Sequence, residues 1–344
     1  MCGVTPLEVY YASSEDEPWR LQASFFEARR QYPSQEFAEP SRYAGRHSSL
    51  SCFGPLTAYY GKTVNPVTGR RPMVFDVRRS FDGLRIPVPC GQCIGCRLER
   101  SRLWAIRCMH EKRLHHESAF ITLTYDNDHV PAGGSLRKRD LQLFFKRLRK
   151  VRPSGLRMFS CGEYGESTRR PHYHCLLFNT RFADQRHYKR SPAGFELYRS
   201  VELESLWPFG SNTIGDVSFD SAAYVARYCL KKVTGKASEV HYSGREPEFV
   251  VMSRRPGIGR GWFEKFHAEA YKADSAIMDH REVGLPRYYD NLFSVVDGDR
   301  LDELKAIRKD KAHLHFEDQT PSRLRVRERF EELKFRRFAR EPCD

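Results

Sequence analysis

The sequence predicts an α+β protein: an antiparallel sheet with helices on one face, a small Cys-rich N-terminal module before it and charged C-terminal helices after it. Three observations lead there. Ala119–Tyr125 alternates along its length and is rich in β-branched and aromatic residues, the pattern of a strand. Leu156–Glu163 and His172–Phe178 are two more strand-like runs flanking a polar turn, as in a hairpin. Apolar residues recur at helical spacing in two other stretches: Leu98, Leu103, Ile106 and Met109, then Leu141, Phe144, Phe145, Leu148 and Val151.

Composition supports a folded, polyanion-binding chain. Of 344 residues, 40% are hydrophobic and 13% aromatic, enough for a core of one large or two modest domains. Lys and Arg number 58 against 44 Asp and Glu, a formal charge of +14, which favours nucleic acid over an anionic membrane surface. No apolar run approaches the ~18 residues of a membrane helix, so no membrane partner is expected. The opening Met-Cys-Gly-Val-Thr-Pro has no basic segment leading into an apolar stretch, so no secretory signal is expected and reduced thiols are the default.

Taken in order, residues 1–47 show no period and are expected to form a poorly ordered extension. Residues 48–117 read as the Cys-rich module, with short strands at Met73–Val77 and Leu84–Val88, followed by a basic helix from Arg97 to Glu117. Residues 118–235 form the predicted core. Beyond the three strands it holds a helix at 141–151, a loop at 180–198, a short helix at Val201–Leu206, a strand at Ile214–Phe219 and a helix at Ser221–Lys232. Residues 236–344 hold a strand at Phe249–Met252 and a Gly-rich turn at Gly257–Gly261 that matches no phosphate-loop fingerprint. A helix at Trp262–Lys272 and charged helices at 299–314 and 321–340 complete that region.

Cys90-Gly-Gln-Cys93-Ile-Gly-Cys96 contains two overlapping C-x2-C pairs, which bring three sulfurs within reach of one tetrahedral metal. Cys52 is favoured as the fourth ligand of a candidate structural zinc site, because Cys108 falls on the apolar stripe of a predicted helix. The plain alternative is three free thiols at a Gly-rich turn, since the usual second C-x2-C half is missing. An iron–sulfur cluster ranks below zinc.

The 137–152 segment carries eight positive residues and one acid, Asp140. Such a run is commonly a solvated helix face, but charges this unbalanced repel one another, which favours phosphate contact by Lys138, Arg139, Lys146, Arg147, Arg149 and Lys150. This surface is expected to hold nucleic acid across the sheet, with aromatic side chains available to stack bases.

His172 and His174 lie two apart on a strand, so both imidazoles face one side while Tyr173 faces the other. A hairpin can bring Glu163 beside them, giving two imidazoles and a carboxylate with open positions for a divalent cation. Imidazole ligands suit Mn²⁺, and abundance favours Mg²⁺. An isolated His-x-His is weak evidence, because chance supplies one often. Tyr224 and Tyr228, at i and i+4, share a helix face, with Lys231 three residues on. A tyrosine pair is more often packing, and a phenol of pKa about 10 is a poor nucleophile unless its electrophile is polarised, as a metal-bound phosphodiester would be.

In order, Phe120-Ile-Thr-Leu-Thr-Tyr125, Arg170-Pro-His-Tyr-His-Cys-Leu-Leu-Phe178 and Tyr224-Val-Ala-Arg-Tyr228 with Lys231 resemble the three motifs of the HUH (His-hydrophobe-His) rolling-circle replication initiators, in their two-tyrosine branch. Pro89–Arg97, Trp104–Glu111, Ser253-Arg-Arg-Pro-Gly-Ile-Gly259 and Leu285–Tyr289 resemble the initiators of gokushovirus-like Microviridae, which are single-stranded DNA phages. The resemblance runs from about Cys52 to Tyr289. It implies an HUH endonuclease fold, ferredoxin-like or palm-like, and a metal-dependent enzyme that nicks one strand of single-stranded or supercoiled origin DNA. The enzyme would keep a 5′-phosphotyrosine link and rejoin the strand later to release a circle. It also implies that His172, His174 and Glu163 are metal ligands, Tyr224 and Tyr228 nucleophiles, and that Lys231 stabilises phosphate or leaving group. Arg227 is expected to touch DNA. A host polymerase would extend the 3′-hydroxyl, and without a helicase P-loop in this chain unwinding would fall to a host helicase, in the host bacterial cytoplasm. The competing expectations are a relaxase or HUH transposase, which usually carries a His triad and an N-terminal Tyr, and a non-catalytic zinc-containing nucleic-acid-binding protein.

Overall fold

A computed structural model describes residues 52–338, apart from 67–68, 153, 166–167, 192–193, 229–236 and 279. At Arg227, Tyr228, Ala237 and 334–338 it describes the backbone alone. The predicted extension 1–47 lies outside the described residues. Contacts divide the chain into two compact units, Arg100–Glu269 and a second made of the chain up to Glu99 together with Ala270–Pro342.

The Arg100–Glu269 unit is built on a seven-stranded sheet. Its strands are β4 (Ser118–Thr124), β5 (Arg157–Tyr164), β6 (Pro171–Phe178), β7 (Arg186–Arg190), β8 (Glu196–Arg199), β9 (Asn212–Gly215) and β10 (Phe249–Met252), in the order β10-β5-β6-β4-β9-β8-β7 with every pairing antiparallel. Along β4 burial alternates, with Ala119, Ile121 and Leu123 fully enclosed. Helix α2 (Lys138–Val151) lays Leu141, Phe144, Phe145 and Leu148 on those residues and on Tyr173, Cys175 and Leu177 of β6. α3 (Val201–Leu206) and Trp207 complete this core. Burying a Leu or Phe side chain contributes about 1.5–3 kcal/mol, so this amphipathic stripe is what holds a strongly basic helix against the sheet. A buried network fixes its N-terminal end: Tyr125 Oη donates to Asp140 (2.8 Å) and contacts Tyr173 Oη (2.8 Å), and the backbone N–H of Arg137 donates to Tyr173 Oη (3.1 Å).

The antiparallel sheet, the N-terminal cysteine cluster and the C-terminal helices stand as predicted, but helices cover both faces of the sheet instead of one. β5 and β6 are enclosed along most of their length on both sides. The second cover consists of α1 (Ile94–Lys112) and α4 (Phe219–Tyr228). Trp104 meets Phe159 at 4.9 Å between ring centroids, and Ser101 Oγ donates to the Ala223 carbonyl (2.6 Å). The loop expected at 180–198 instead contains the β7–β8 hairpin. All of β7 is exposed and charged or polar except Tyr188, so an edge strand gave no apolar alternation to read.

On the α1 side Glu111 is 2% exposed and ion-paired to Arg157, and the Gly259 N–H donates to its Oε2 (2.6 Å). Burial pushes this carboxyl up, but hydrogen bonds from His115, Arg157 and Gly259 outweigh it, and its pKa falls below the ordinary 4.5. The stabilisation is therefore present above the unfolded value and is lost as pH drops through the depressed folded one. Glu111→Ala leaves Arg157 buried without its counterion. It should cost about 3–5 kcal/mol in urea unfolding at pH 7, and the gap to the parent chain should narrow below about pH 4.

The second unit holds a three-stranded sheet of β1 (Leu56–Tyr60), β2 (Met73–Val74) and β3 (Ile86–Val88), ordered β2-β1-β3. A hairpin of β11 (Ser275–Met278) and β12 (Arg281–Gly284) follows, then α7 (Arg287–Val296), α8 (Gly298–His313) and α9 (Pro321–Phe338). Arg308 of α8 is 5% exposed and bridges Asp274 and Asp290 (Nη1 to Asp290 Oδ2, 2.9 Å), so one buried guanidinium positions an otherwise polar helix.

Candidate active site

The turn between β5 and β6 sets the site. The Gly165 N–H donates to the Arg170 carbonyl (3.0 Å), and Tyr164 pairs with Pro171, so the register places Glu163 directly opposite His172 and Cys161 opposite His174. Directly paired residues share a face of the sheet. Glu163, His172 and His174 therefore converge on the side covered by α1 and α4.

Glu163 Oε1 lies 2.7 Å from His172 Nε2 and 2.8 Å from His174 Nε2. His172 Nδ1 is 3.0 Å from the Arg170 carbonyl, which can only accept, so Nδ1 carries a proton and Nε2 faces the carboxylate. His174 Nδ1 meets Thr122 Oγ1 at 2.9 Å, across the β4–β6 pairing. Imidazole orientation is thus fixed from behind at both rings, as metal-ligating histidines require. Glu163 is 2% exposed, and its Oε2 has no hydrogen-bond partner among the described residues. Burial pushes its pKa up, yet the two imidazoles outweigh that and hold it below the ordinary carboxylate range. Two imidazole nitrogens and a carboxylate with its ligand atoms within 4.8 Å, one carboxylate oxygen unpartnered in a buried setting, form a donor set that fits a divalent first-row cation.

His174 is packed on three sides. Phe120 stacks on it at 5.7 Å, His172 meets it edge-on at 4.9 Å and the Tyr224 ring meets it edge-on at 5.1 Å. Tyr224 comes from α4, whose start is capped reciprocally by Ser218 and Ser221: the Ser221 N–H donates to Ser218 Oγ (3.1 Å) and the Ser218 N–H to Ser221 Oγ (2.9 Å). Tyr228 sits one turn on, at the last residue of α4, but its side chain and that of Arg227 lie outside what is described, as does Lys231 altogether. Thr122 and Phe120 escaped sequence reading. The alternation of β4 placed them on one face, but only the strand register shows that this face carries His174.

The basic helix sits elsewhere. Lys138, Arg139, Lys146, Arg149 and Lys150 are exposed, but α2 covers the face carrying Tyr173 and Cys175, opposite to the histidines. The expected path of nucleic acid from this helix across the sheet to the site does not follow from this arrangement. Arg147 is also drawn inward, where its Nε donates to the Leu206 carbonyl (2.9 Å).

In the other unit the Sγ atoms of Cys52, Cys90, Cys93 and Cys96 all lie within 4.8 Å of one another. Cys52, and not the helix-buried Cys108, completes the set. Gly91 at φ 74° lets the chain turn between the first two thiols. Backbone N–H groups of Phe53 and Cys90 donate to Cys93 Sγ and Cys52 Sγ (3.3 Å each), an environment that favours thiolate. Hydrogen bonds from Cys52 and Cys96 push Cys93 down, while Cys52 is pushed up to about 11 by its contact with Cys93, so the sulfurs share their protons unequally.

Residues 118–233 match the family model of the replication-associated protein ORF2. The chain is 34% identical over 256 residues to the replication-associated protein VP4 of Bdellovibrio phage phiMH2K, covering 71% of this chain and 77% of the relative. It is 32% identical over 261 residues to the replication-associated protein ORF2 of Spiroplasma virus 4, covering 70% and 79%. Identity to the replication-associated protein ORF4 of Chlamydia phage 1 is 29% over 216 residues, covering 60% and 53%. No solved structure matches the chain.

Proposed function

The chain belongs to the family of phage replication-associated proteins, and from that premise we propose that it starts replication by nicking one strand of its phage's origin DNA through tyrosine attack. The observation that carries this reading is the Tyr224 ring at 5.1 Å from His174, over the Glu163–His172–His174 cluster. His172 and His174 through Nε2, and Glu163 through its carboxylate, would hold a Mg²⁺ or Mn²⁺ ion. When bound, the cation supplies charge neutralisation at the phosphate under attack.

The remaining chemistry belongs to the chain. A tyrosine oxygen attacks phosphorus, and its proton passes to solvent. The bond to the 3′ oxygen breaks, that oxygen takes up a proton, and a 5′-phosphotyrosine remains. Rejoining is the reverse: a 3′-hydroxyl attacks the phosphotyrosine and releases the phenol. Tyr228, one helical turn from Tyr224, is the second nucleophile, so that one tyrosine holds an end while the other cleaves. Lys231 balances charge on phosphate or leaving group, and Arg227 contacts DNA. A host helicase and polymerase would supply unwinding and extension, in the bacterial cytoplasm. No helix among the described residues is long and apolar enough to cross a membrane. The four cysteines would hold a structural zinc ion.

Supercoiled genome DNA of the phage, incubated with the protein and Mn²⁺, should yield a covalent protein–DNA species on a denaturing gel, with peptide mass spectrometry locating the bond at Tyr224 or Tyr228. Tyr224→Phe should confine the adduct to Tyr228, and Phe at both positions should remove it. An adduct that survives the double change would overturn the assignment.

A further inference from the structure

The segment Ser253–Gly259 follows β10 and is held to the rest of its unit by buried polar contacts at almost every backbone group. The Ser253 N–H donates to the Met158 carbonyl (2.9 Å), and the Met158 N–H to Ser253 Oγ (3.1 Å). Arg157 Nη2 donates to the carbonyls of Pro256 and Gly257 (3.1 Å each). Arg107 grips the Ile258 carbonyl through Nε (3.1 Å) and Nη2 (2.9 Å), and Glu111 accepts from the Gly259 N–H (2.6 Å). The Ile258 side chain is fully buried beneath. Two arginines and a buried glutamate thus fix the path of a short irregular loop.

The loop holds Arg254 and Arg255 exposed to solvent, and no described side chain pairs with either guanidinium. Desolvating Arg157 and Glu111 is costly unless something is gained. What this clamp achieves is two guanidiniums presented on a backbone that is ordered before any ligand arrives, so little ordering cost falls on binding. Guanidinium is the group best suited to phosphate oxygens. Arg157 also shares a face of β5 with Phe159, Cys161 and Glu163, because residues two apart point the same way. The clamp therefore opens on the same side of the sheet as the carboxylate–imidazole cluster, six residues or about 20 Å along the strand, the length of about six base pairs. The exposed cations of α2 lie on the opposite side.

We propose that Arg254 and Arg255 form a preorganised phosphate-binding point for the DNA flanking the cleaved bond, on the same face as the candidate active site. This rests on the reading that the chain nicks DNA, and its test is independent of cleavage. The full chain is titrated in EDTA against fluorescent duplex and single-stranded DNA of about 30 base pairs or nucleotides, by anisotropy at several salt concentrations. Removing two phosphate contacts should make the slope of log K against log salt shallower by about 1.8 for duplex or about 1.4 for single strand in Arg254→Ala/Arg255→Ala, and the two probes show which form is held. Arg254→Lys/Arg255→Lys should restore most of the slope. In the unmodified protein, phenylglyoxal labelling of both arginines, read by peptide mass spectrometry, should be suppressed by the same DNA. Unchanged slopes on both probes together with undiminished labelling would overturn the inference. If that happens in a protein that still nicks and forms its tyrosine adduct, only this inference falls. A parent chain without nicking or adduct would remove the proposed function instead.

Discussion

His174→Ala is expected to abolish nicking of supercoiled genome DNA, with a loss on the order of 10³-fold or more in the rate of open-circle formation at saturating Mn²⁺. The size follows from where the ring sits. His174 is 6% exposed, one nitrogen bound to Thr122 and the other facing Glu163 Oε1 at 2.8 Å, with Tyr224 against its edge. Its loss removes a cation ligand, leaves Glu163 half-partnered and opens a gap under the candidate nucleophile. His172→Ala tests the same claim at a half-buried ring, where disruption of packing is smaller. Both variants should retain the cooperative thermal transition of the parent. Nicking at the parental rate in either one would detach the imidazoles from the chemistry.

Cys96→Ser is expected to have the largest effect on stability. If four thiolates hold zinc, metal binding is folding free energy, of about 10–16 kcal/mol in small zinc-organised peptides. The β1–β3 sheet is small, and Leu56, Met73, Phe75, Phe81 and Leu84 are all exposed, so little apolar burial is present to replace a metal. The parent chain should carry about one zinc per molecule by elemental analysis, the usual occupancy of a Cys₄ site. The variant should carry close to none and should become sensitive to limited proteolysis between residues 52 and 99. A parent purified in zinc-containing medium without bound metal would remove the ion from the account.

Several features were legible because they depend on one short stretch of chain. The alternation of Ala119–Tyr125, the placement of His172 and His174 on a common face, and the overlapping C-x2-C pairs each follow from local spacing, and the strands and cluster appear where that spacing puts them. The β7–β8 hairpin, the β11–β12 hairpin and α7 were not read. β7 has no apolar face to reveal it, and β11 and β12 are four residues each, too short for a period to emerge. The basic run of α2 was recognised as a helix, but its phosphate-binding role was expected at the sheet's chemical face. Its apolar stripe instead packs on the side carrying Tyr173.

What the sequence determined by itself is what covalent geometry makes periodic: which residues are strand or helix, and that the two imidazoles point together while Tyr173 points away. Only the tertiary structure decided that Glu163 lies opposite His172, that Thr122 lies opposite His174, and that α4 brings Tyr224 to that same face. The same holds for Cys52, which joins Cys90 across 38 residues. Register and choice of face are settled by which surfaces of distant segments can be buried together, and that energy belongs to the pairing and to neither segment alone.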